Sequence, residues 1–245
     1  MEGAEPEGKT ALIDTEEGNL PVRHLPNVEI FLAKTQFDLE KALETIWSKP
    51  AGYYSRVVFD TISTASTTAM LNLSFDPSKG RKISVWGQKA DLQFTQADWG
   101  EMSKMLIYFT RNLFELPGSP TTVILCHEGE REHPIDGTKI ASPDLNRMLL
   151  KDVYGLSDVV LRLGKVPQKI DIDGVSYPAG TRILRLLDAP RYLIKERVSY
   201  GTKLPELFPN PTLTKYLNLF DPALRPRKIL IYGGPGVGKT TFSCF

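Results

Sequence analysis

A short run of residues late in the chain combines glycines with a lysine and two threonines. It consists of Gly233, Gly234, Pro235, Gly236, Val237, Gly238, Lys239, Thr240 and Thr241. The run fits the pattern G-x-x-x-x-G-K-T and follows an aliphatic segment at residues 229–232. Glycines let the backbone turn tightly enough for successive N–H groups to point at a phosphate chain. In this pattern the lysine reaches the β- and γ-phosphates and the next hydroxyl holds Mg²⁺. The run therefore predicts a site for ATP and Mg²⁺ built on Lys239 and Thr240, aided by the positive end of the helix that begins there.

The elements around this motif are predicted from hydrophobic periodicity. Strands are expected at residues 10–14, 28–33, 56–60, 121–126 and 158–163, and helices at 35–47, 99–116 and 142–153. A hairpin is expected at 169–177, further strands at 182–187 and 191–198, and a helix at 212–220 within a proline-rich linker. Residues 74–100 and 128–141 are interpreted as loops. Strands that alternate with helices predict an α/β fold with a mostly parallel sheet covered on both faces.

The position of the motif suggests an unusual chain order. In a parallel sheet, the helix after the phosphate loop has to cross over to a neighbouring parallel strand. Residues 1–9 are rich in Gly, Glu and Pro, as is typical after a helix, and a buried strand follows them. We therefore expect one circularly permuted domain over residues 1–245, with parental termini within 208–228 and the loop strand and helix at 229–245. The alternative is a truncated longer chain. Permutation predicts that Phe245 and Met1 lie close together.

Composition limits the possible partners and compartments. The formal net charge is +1, so contact with nucleic acid requires a local basic patch. Two cysteines, Cys126 and Cys244, are typical of a protein from a reducing cytosol. No apolar run reaches membrane-spanning length and the first residues do not form a signal peptide. These features predict a soluble cytoplasmic protein without a membrane partner.

An acidic residue and a histidine stand at the ends of two predicted strands. Asp60 ends a β-branched strand, and a lone carboxylate there is costly to bury unless it has a chemical role. His127 ends the strand at 121–126. Read circularly, the order of motifs is the phosphate loop, residues 12–16, residues 57–63, residues 123–127 and finally residues 195–197.

This order resembles the RecA-like P-loop ATPases, and most closely the phage single-strand-annealing ATPases of the RecA-like Sak branch. The resemblance implies a RecA-like P-loop NTPase core with a small β appendage near residues 171–187. It also implies an Mg²⁺-dependent ATPase that forms a homo-oligomeric ring or filament on single-stranded DNA. A single-strand-binding protein is a candidate partner. A phage-encoded protein of this kind would act in the cytoplasm of the host cell.

The resemblance also assigns roles to individual residues. Glu16 corresponds to the carboxylate that orients and activates the attacking water, with Asp14 and Glu17 as alternatives, since phosphoryl transfer to water needs such a group. Asp60 corresponds to the Walker B acid that holds Mg²⁺ together with Thr240. His127 occupies the position of a polar γ-phosphate sensor, where the family often has Gln. The alternative for His127 is an ordinary hydrogen-bonded histidine.

Two basic residues and one polar stretch have further implied roles. Lys195 and Arg197 resemble the pair that related ATPases project into the neighbouring subunit's site, and the alternative is a charged edge strand. Lys79, Arg81, Lys82, Trp86 and Lys89 mix positive charge with an aromatic side chain, as single-stranded DNA sites do. A solvated loop is the alternative for that stretch.

Two other classes of function fit a phosphate loop. One is a phosphotransferase acting on a small molecule, which the position of Glu16 and the lack of an obvious Arg-rich lid disfavour. The other is an assembly protein whose oligomeric state is set by nucleotide binding with little hydrolysis. The rate of ATP hydrolysis with and without single-stranded DNA separates these classes.

Overall fold

Six parallel strands form the centre of a ten-stranded sheet. The computed structural model describes residues 8–74, 95–132, 137–187, 191–197 and 204–245. Its strands are β1 (Lys9–Asp14), β2 (Val28–Leu32), β3 (Tyr54–Asp60), β4 (Thr121–Glu132), β5 (Lys139–Pro143), β6 (Val159–Lys165), β7 (Ile170–Ile172), β8 (Val175–Tyr177), β9 (Arg182–Arg185), β10 (Lys195–Glu196), β11 (Leu207–Pro209) and β12 (Lys228–Gly233). The sheet order is β11-β9-β6-β12-β4-β3-β1-β2, with β5 paired to β4 and β10 to β6.

Helices cover both faces of this sheet. They are α1 (Gln36–Trp47), α2 (Ile62–Ser74), α3 (Gln96–Phe114), α4 (Arg147–Leu156), α5 (Leu213–Leu217) and α6 (Lys239–Cys244). Alternate side chains of the central strands point to opposite faces, which explains their nearly continuous hydrophobic runs. One set packs with α1, α2, α3 and α4, and the other packs with α5 and α6. The predicted α/β fold with a mostly parallel, helix-flanked sheet is confirmed.

The strand that precedes the phosphate loop lies inside the sheet. β12 is last in the chain, yet it pairs in parallel with β4 on one side and with β6 on the other. Its side chains from Ile229 to Tyr232 are fully buried. β12 is thus inserted between β4 and β6, which both lie far from it in the sequence. This insertion brings the phosphate loop to the carboxyl edge of β4 and β3. Met1 lies outside the described residues, so the predicted meeting of the two chain ends stays a prediction.

Several predicted elements are confirmed and others need correction. The hairpin is present as β7 and β8, and the helix predicted at residues 35–47 is present as α1, which begins with a capping box between Thr35 and Asp38. Helix α2 was not predicted, because its Ser- and Thr-rich sequence has no charged face and packs between α3 and β4. The start predicted for the helix at residues 142–153 is wrong, since Asn146 caps α4 and accepts a hydrogen bond from the Leu149 amide.

Two predicted loops contain strands. β4 runs beyond His127 and pairs with β5, so most of the predicted 128–141 loop is a hairpin held by backbone hydrogen bonds and an ion pair between Lys139 and Glu130. β11 lies in the predicted proline-rich linker and ends at Pro209, which an edge strand tolerates. Conversely, the strand predicted at 191–198 is reduced to β10. No helix among the described residues is long and apolar enough to cross a membrane.

Candidate functional site

The phosphate loop has the backbone shape that its glycines predict. A Cβ atom on Gly233 would lie 2.2 Å from the carbonyl oxygen of Leu163, so no side chain fits there. Gly236 and Gly238 have φ angles of +69° and +86°, a region that glycine adopts without steric cost. The loop therefore requires glycine for close packing at its start and for its turns. These requirements are those of a backbone cradle for phosphate.

Lys239 and Thr240 open the helix behind the loop. The Lys239 side chain is buried, and its Nζ donates hydrogen bonds to the carbonyls of Gly233 at 3.1 Å and Gly234 at 3.3 Å. The ammonium group thus lies against the loop itself. α6 follows the loop directly, from Lys239 to Cys244. The lysine charge and the loop N–H groups both contribute positive potential at the loop.

Asp60 connects this loop to the neighbouring strands. The Thr240 hydroxyl donates a hydrogen bond to Asp60 Oδ2, although the two residues are 180 positions apart. Asp60 is 3% exposed, and burial raises the pKa of its carboxyl group to about 6; the Thr240 hydrogen bond opposes that rise, while nearby Glu16 and Asp14 add to it. A buried carboxylate beside a hydroxyl is a donor set that suits a hard cation such as Mg²⁺.

Glu16 lies beside Asp60, just beyond the end of β1. Its Oε1 accepts hydrogen bonds from Thr61 Oγ1 at 2.8 Å, from Thr64 Oγ1 and from His127 Nε2 at 2.5 Å. The His127 hydrogen bond is the main reason why the pKa of Glu16 falls to about 2, with the threonine hydroxyls lowering it further against the effect of burial. No described residue donates to Oε2. Glu16 is therefore ionised, with one oxygen held and the other open.

The two alternative carboxylates have other partners. Asp14 is buried and accepts hydrogen bonds from the Glu16 amide at 2.9 Å, the Gly18 amide at 3.2 Å and Asn19 Nδ2 at 2.7 Å. It therefore stabilises the turn that carries Glu16. Glu17 is exposed and pairs with Lys34. Of the three acids, Glu16 alone has its side chain hydrogen-bonded to His127 and to the hydroxyls after Asp60.

His127 lies between the phosphate-loop strand and Glu16. In the sheet register it is opposite Gly233, the first residue of the loop. Its amide donates to Ser63 Oγ at 2.9 Å, and its ring reaches Glu16. The strand does not end here as predicted, so the hairpin beyond it also constrains the backbone of His127. The structure thus brings together Glu16, Asp60, His127, Lys239 and Thr240.

Lys195 and Arg197 lie elsewhere in the chain's own fold. Lys195 is opposite Val160 in β6. The adjacent residue of β6, Val159, pairs with Ile229 near the start of β12, whereas the phosphate loop follows the end of β12. Lys195 is therefore level with the opposite end of β12 from the phosphate loop. Lys195 Nζ donates to the carbonyls of Tyr154, Gly155 at 3.3 Å and Ser157 at 2.6 Å, at the end of α4. Burial lowers the pKa of Lys195 to about 8, and nearby Arg197 lowers it further. Arg197 Nη1 reaches the Gly155 carbonyl at 3.4 Å.

Three residues near the site were missed by sequence reasoning, and the predicted DNA-binding residues lie outside the described part of the chain. Thr61 and Thr64 are one helical turn apart, a spacing that would have indicated a common face if α2 had been predicted. Arg182, which contacts the phosphate loop, has no sequence signal. The five predicted DNA-binding residues (Lys79, Arg81, Lys82, Trp86 and Lys89) lie outside the described residues.

Comparison with known proteins identifies the family. The family model described as "AAA domain" matches residues 3–198, which include Glu16, Asp60 and His127. Neither the curated proteins nor the solved structures gave a match. The phosphate loop at residues 233–241 lies after the matched range, so the loop and the family match are separate signals of the same chemistry. The chain belongs to the AAA domain family of P-loop ATPases.

Proposed function

We propose that this protein hydrolyses ATP with Mg²⁺ and couples hydrolysis to assembly on single-stranded DNA, in strand annealing of the phage type. The contact between Thr240 and Asp60 carries the ATPase part of the proposal. It joins the phosphate-binding loop to a buried acid, and Glu16 lies on the other side of that acid. Phosphoryl transfer depends mainly on positioning and on electrostatic stabilisation, which such a cluster can supply.

Asp60 and Thr240 are the residues that would hold Mg²⁺. The metal ion would neutralise charge that develops on the phosphate oxygens during transfer. Asp60 supplies a carboxylate oxygen and Thr240 a hydroxyl oxygen, and Mg²⁺ sites commonly take one or two carboxylates with the rest of the shell from phosphate and water. The pKa of about 6 for the Asp60 carboxyl group reflects burial of charge that a cation would relieve.

Glu16 is suited to orient the attacking water. Its Oε1 is held by three donors, so the carboxylate plane is set and Oε2 is left to accept a hydrogen bond from water. A carboxyl group with a pKa of about 2 is a weak base, since efficient general bases have a pKa near the working pH. Positioning and electrostatic polarisation of the water are therefore the main contributions of Glu16. His127, which donates to the same oxygen, would hold Glu16 in place.

The DNA part of the proposal is supported by sequence and by the resemblance to the Sak branch. The basic and aromatic residues between Lys79 and Lys89 have the composition of a site that neutralises phosphates and stacks bases. Because the whole chain has a net charge of only +1, a local patch of this kind is needed for DNA binding.

Single-stranded DNA is expected to stimulate ATP hydrolysis. The measurement is the steady-state ATPase rate with Mg²⁺, with and without an oligonucleotide, at low and high salt. Stimulation should weaken as salt rises, since each neutralised phosphate releases counterions on binding. ATP binding without turnover would instead indicate nucleotide-gated assembly, and turnover that requires a small-molecule acceptor would indicate a phosphotransferase.

Arg197→Ala is expected to lower turnover by about 10³-fold or more while ATP binding by the monomer is unchanged, because an arginine supplied in trans acts on the transition state. The measurement is the ATPase rate of the variant alone and mixed with Glu16→Gln. In the mixture, a site with an intact Glu16 can receive Arg197 from its neighbour, so activity should partly return. Unchanged turnover in Arg197→Ala, or no recovery on mixing, would reject the trans role.

A further inference from the structure

The guanidinium group of Arg182 packs against the phosphate loop. A Cβ atom on Gly238 would lie 2.9 Å from Arg182 Nη1, 3.5 Å from Cδ and 3.8 Å from Cζ. Apart from Gly238 and its two chain neighbours, the three heavy atoms nearest to that position all belong to Arg182. Gly238 is the residue immediately before Lys239, so the arginine lies over the part of the loop where the backbone turns into α6.

The backbone of Arg182 is held on both sides. Arg182 opens β9 and pairs with Lys165 at the carboxyl end of β6, the same edge of the sheet from which the phosphate loop leaves β12. Its carbonyl accepts a hydrogen bond from the Asn210 amide at 2.8 Å. The arginine therefore approaches the loop from the β6 and β9 side, opposite to the side on which Asp60 lies. Its placement is determined by the sheet.

Among the described residues, Arg182 differs from the neighbouring arginines Arg162 and Arg185 in having no ion-pair partner. Arg162 on β6 makes two hydrogen bonds to Glu128, at 2.6 and 3.1 Å. Arg185, at the other end of β9, pairs with Glu206 at 2.7 Å. The Arg182 guanidinium makes neither an ion pair nor a hydrogen bond with any residue in the described part of the chain. An unpaired guanidinium beside a phosphate cradle is chemically matched to an anion.

We propose that Arg182 is a phosphate-binding residue of this site, donating hydrogen bonds to the phosphate chain of the nucleotide on the side away from Asp60. The proposal rests on the proposed nucleotide-binding function of the phosphate loop. Guanidinium groups bind phosphate through paired N–H donors, which a lysine cannot reproduce. With Lys239, Arg182 would place the phosphate chain between two cations of the same subunit, a contribution separate from that proposed for Arg197 in trans.

The test compares Arg182→Gln with Arg185→Gln and the unaltered protein. Arg185 is the matched control, because it lies on the same strand, three residues away and therefore on the opposite face, and already has a carboxylate partner. Affinities for ATP and for inorganic tripolyphosphate are measured by calorimetry, and thermal unfolding confirms that each variant is folded. We expect Arg182→Gln to weaken both ligands by about 10- to 100-fold, the range for a hydrogen bond to a charged group. The affinities of Arg185→Gln for both ligands should stay within about threefold of those of the unaltered protein.

Each contrary outcome has its own meaning. Unchanged affinity in Arg182→Gln, with normal binding by the unaltered protein, overturns the role of Arg182 and leaves the nucleotide site intact. Weaker ATP binding with unchanged tripolyphosphate binding also overturns it, since the contact would then be to the nucleoside. Failure of the unaltered protein to bind either ligand would instead reject the proposed nucleotide site itself.

Discussion

Glu16→Gln is expected to lower the ATP hydrolysis rate by at least about 100-fold while ATP affinity changes little, because removing one preorganised electrostatic group from an active site costs about 10²–10³-fold in turnover. The amide keeps the shape of the side chain and can still meet Thr61, Thr64 and His127. It lacks the negative charge, so it cannot polarise water in the same way. The effect should therefore fall on turnover, as expected when an interaction matters only in the transition state.

Glu17→Gln is the matched control for this variant. Glu17 is the next residue in the chain, is exposed and, within the described part of the chain, forms an ion pair with Lys34 alone, so its replacement should leave the rate within about twofold. The rate is measured at saturating ATP, and affinity is measured separately with a fluorescent ATP analogue. An equal loss in both variants, or a loss of binding in Glu16→Gln, would contradict the role of Glu16 in orienting water.

Lys239→Met is expected to weaken ATP binding by about 10- to 100-fold, which corresponds to loss of a hydrogen bond to a charged group. Methionine retains an apolar stem of similar length, so packing of the buried side chain is largely kept. What is lost is the ammonium group near the carbonyls of Gly233 and Gly234, and with it the charge that would meet the phosphates. The measurement is the dissociation constant for ATP with Mg²⁺.

Lys41→Met is the control, because it removes a lysine charge at a position outside the phosphate loop. Lys41 lies exposed on α1, far along the chain from the loop, and its replacement should not change ATP affinity. Thermal unfolding of both variants separates loss of binding from loss of fold. ATP binding by a folded Lys239→Met protein with the affinity of the unaltered protein would show that the loop does not bind phosphate as proposed.

The central strands could be predicted because their sequences are hydrophobic on both faces. Burial under helices on each side leaves little room for polar residues in β1, β3, β4, β6 and β12, so each of them stands out as a short apolar run. Elements whose stability comes from tertiary contacts were harder to find. α2 is rich in Ser and Thr and is stabilised by packing on α3, and the hairpin of β4 and β5 is held mainly by backbone hydrogen bonds between a charged segment of β4 and the mostly uncharged β5.

The sequence by itself determined the phosphate loop and pointed to acids near the strand ends. The loop can be recognised because its turns are local: the positive φ angles demand glycine at Gly236 and Gly238. The demand for glycine at Gly233 comes instead from a tertiary contact with Leu163. The chemistry of Lys239 and Thr240 follows from their residue types and from their place directly after that turn.

Only the tertiary structure decided which side chains meet. Glu16, Asp14 and Glu17 are close in sequence, and the turn at the end of β1 directs Glu16 alone towards Thr61 and His127. Thr240 reaches Asp60 because β12 is inserted between β4 and β6, a pairing between segments far apart in the chain. Arg182 reaches the loop because β6 separates its strand, β9, from β12 in the sheet order. Such contacts depend on the order of strands in the sheet, which long-range packing sets and local sequence does not record.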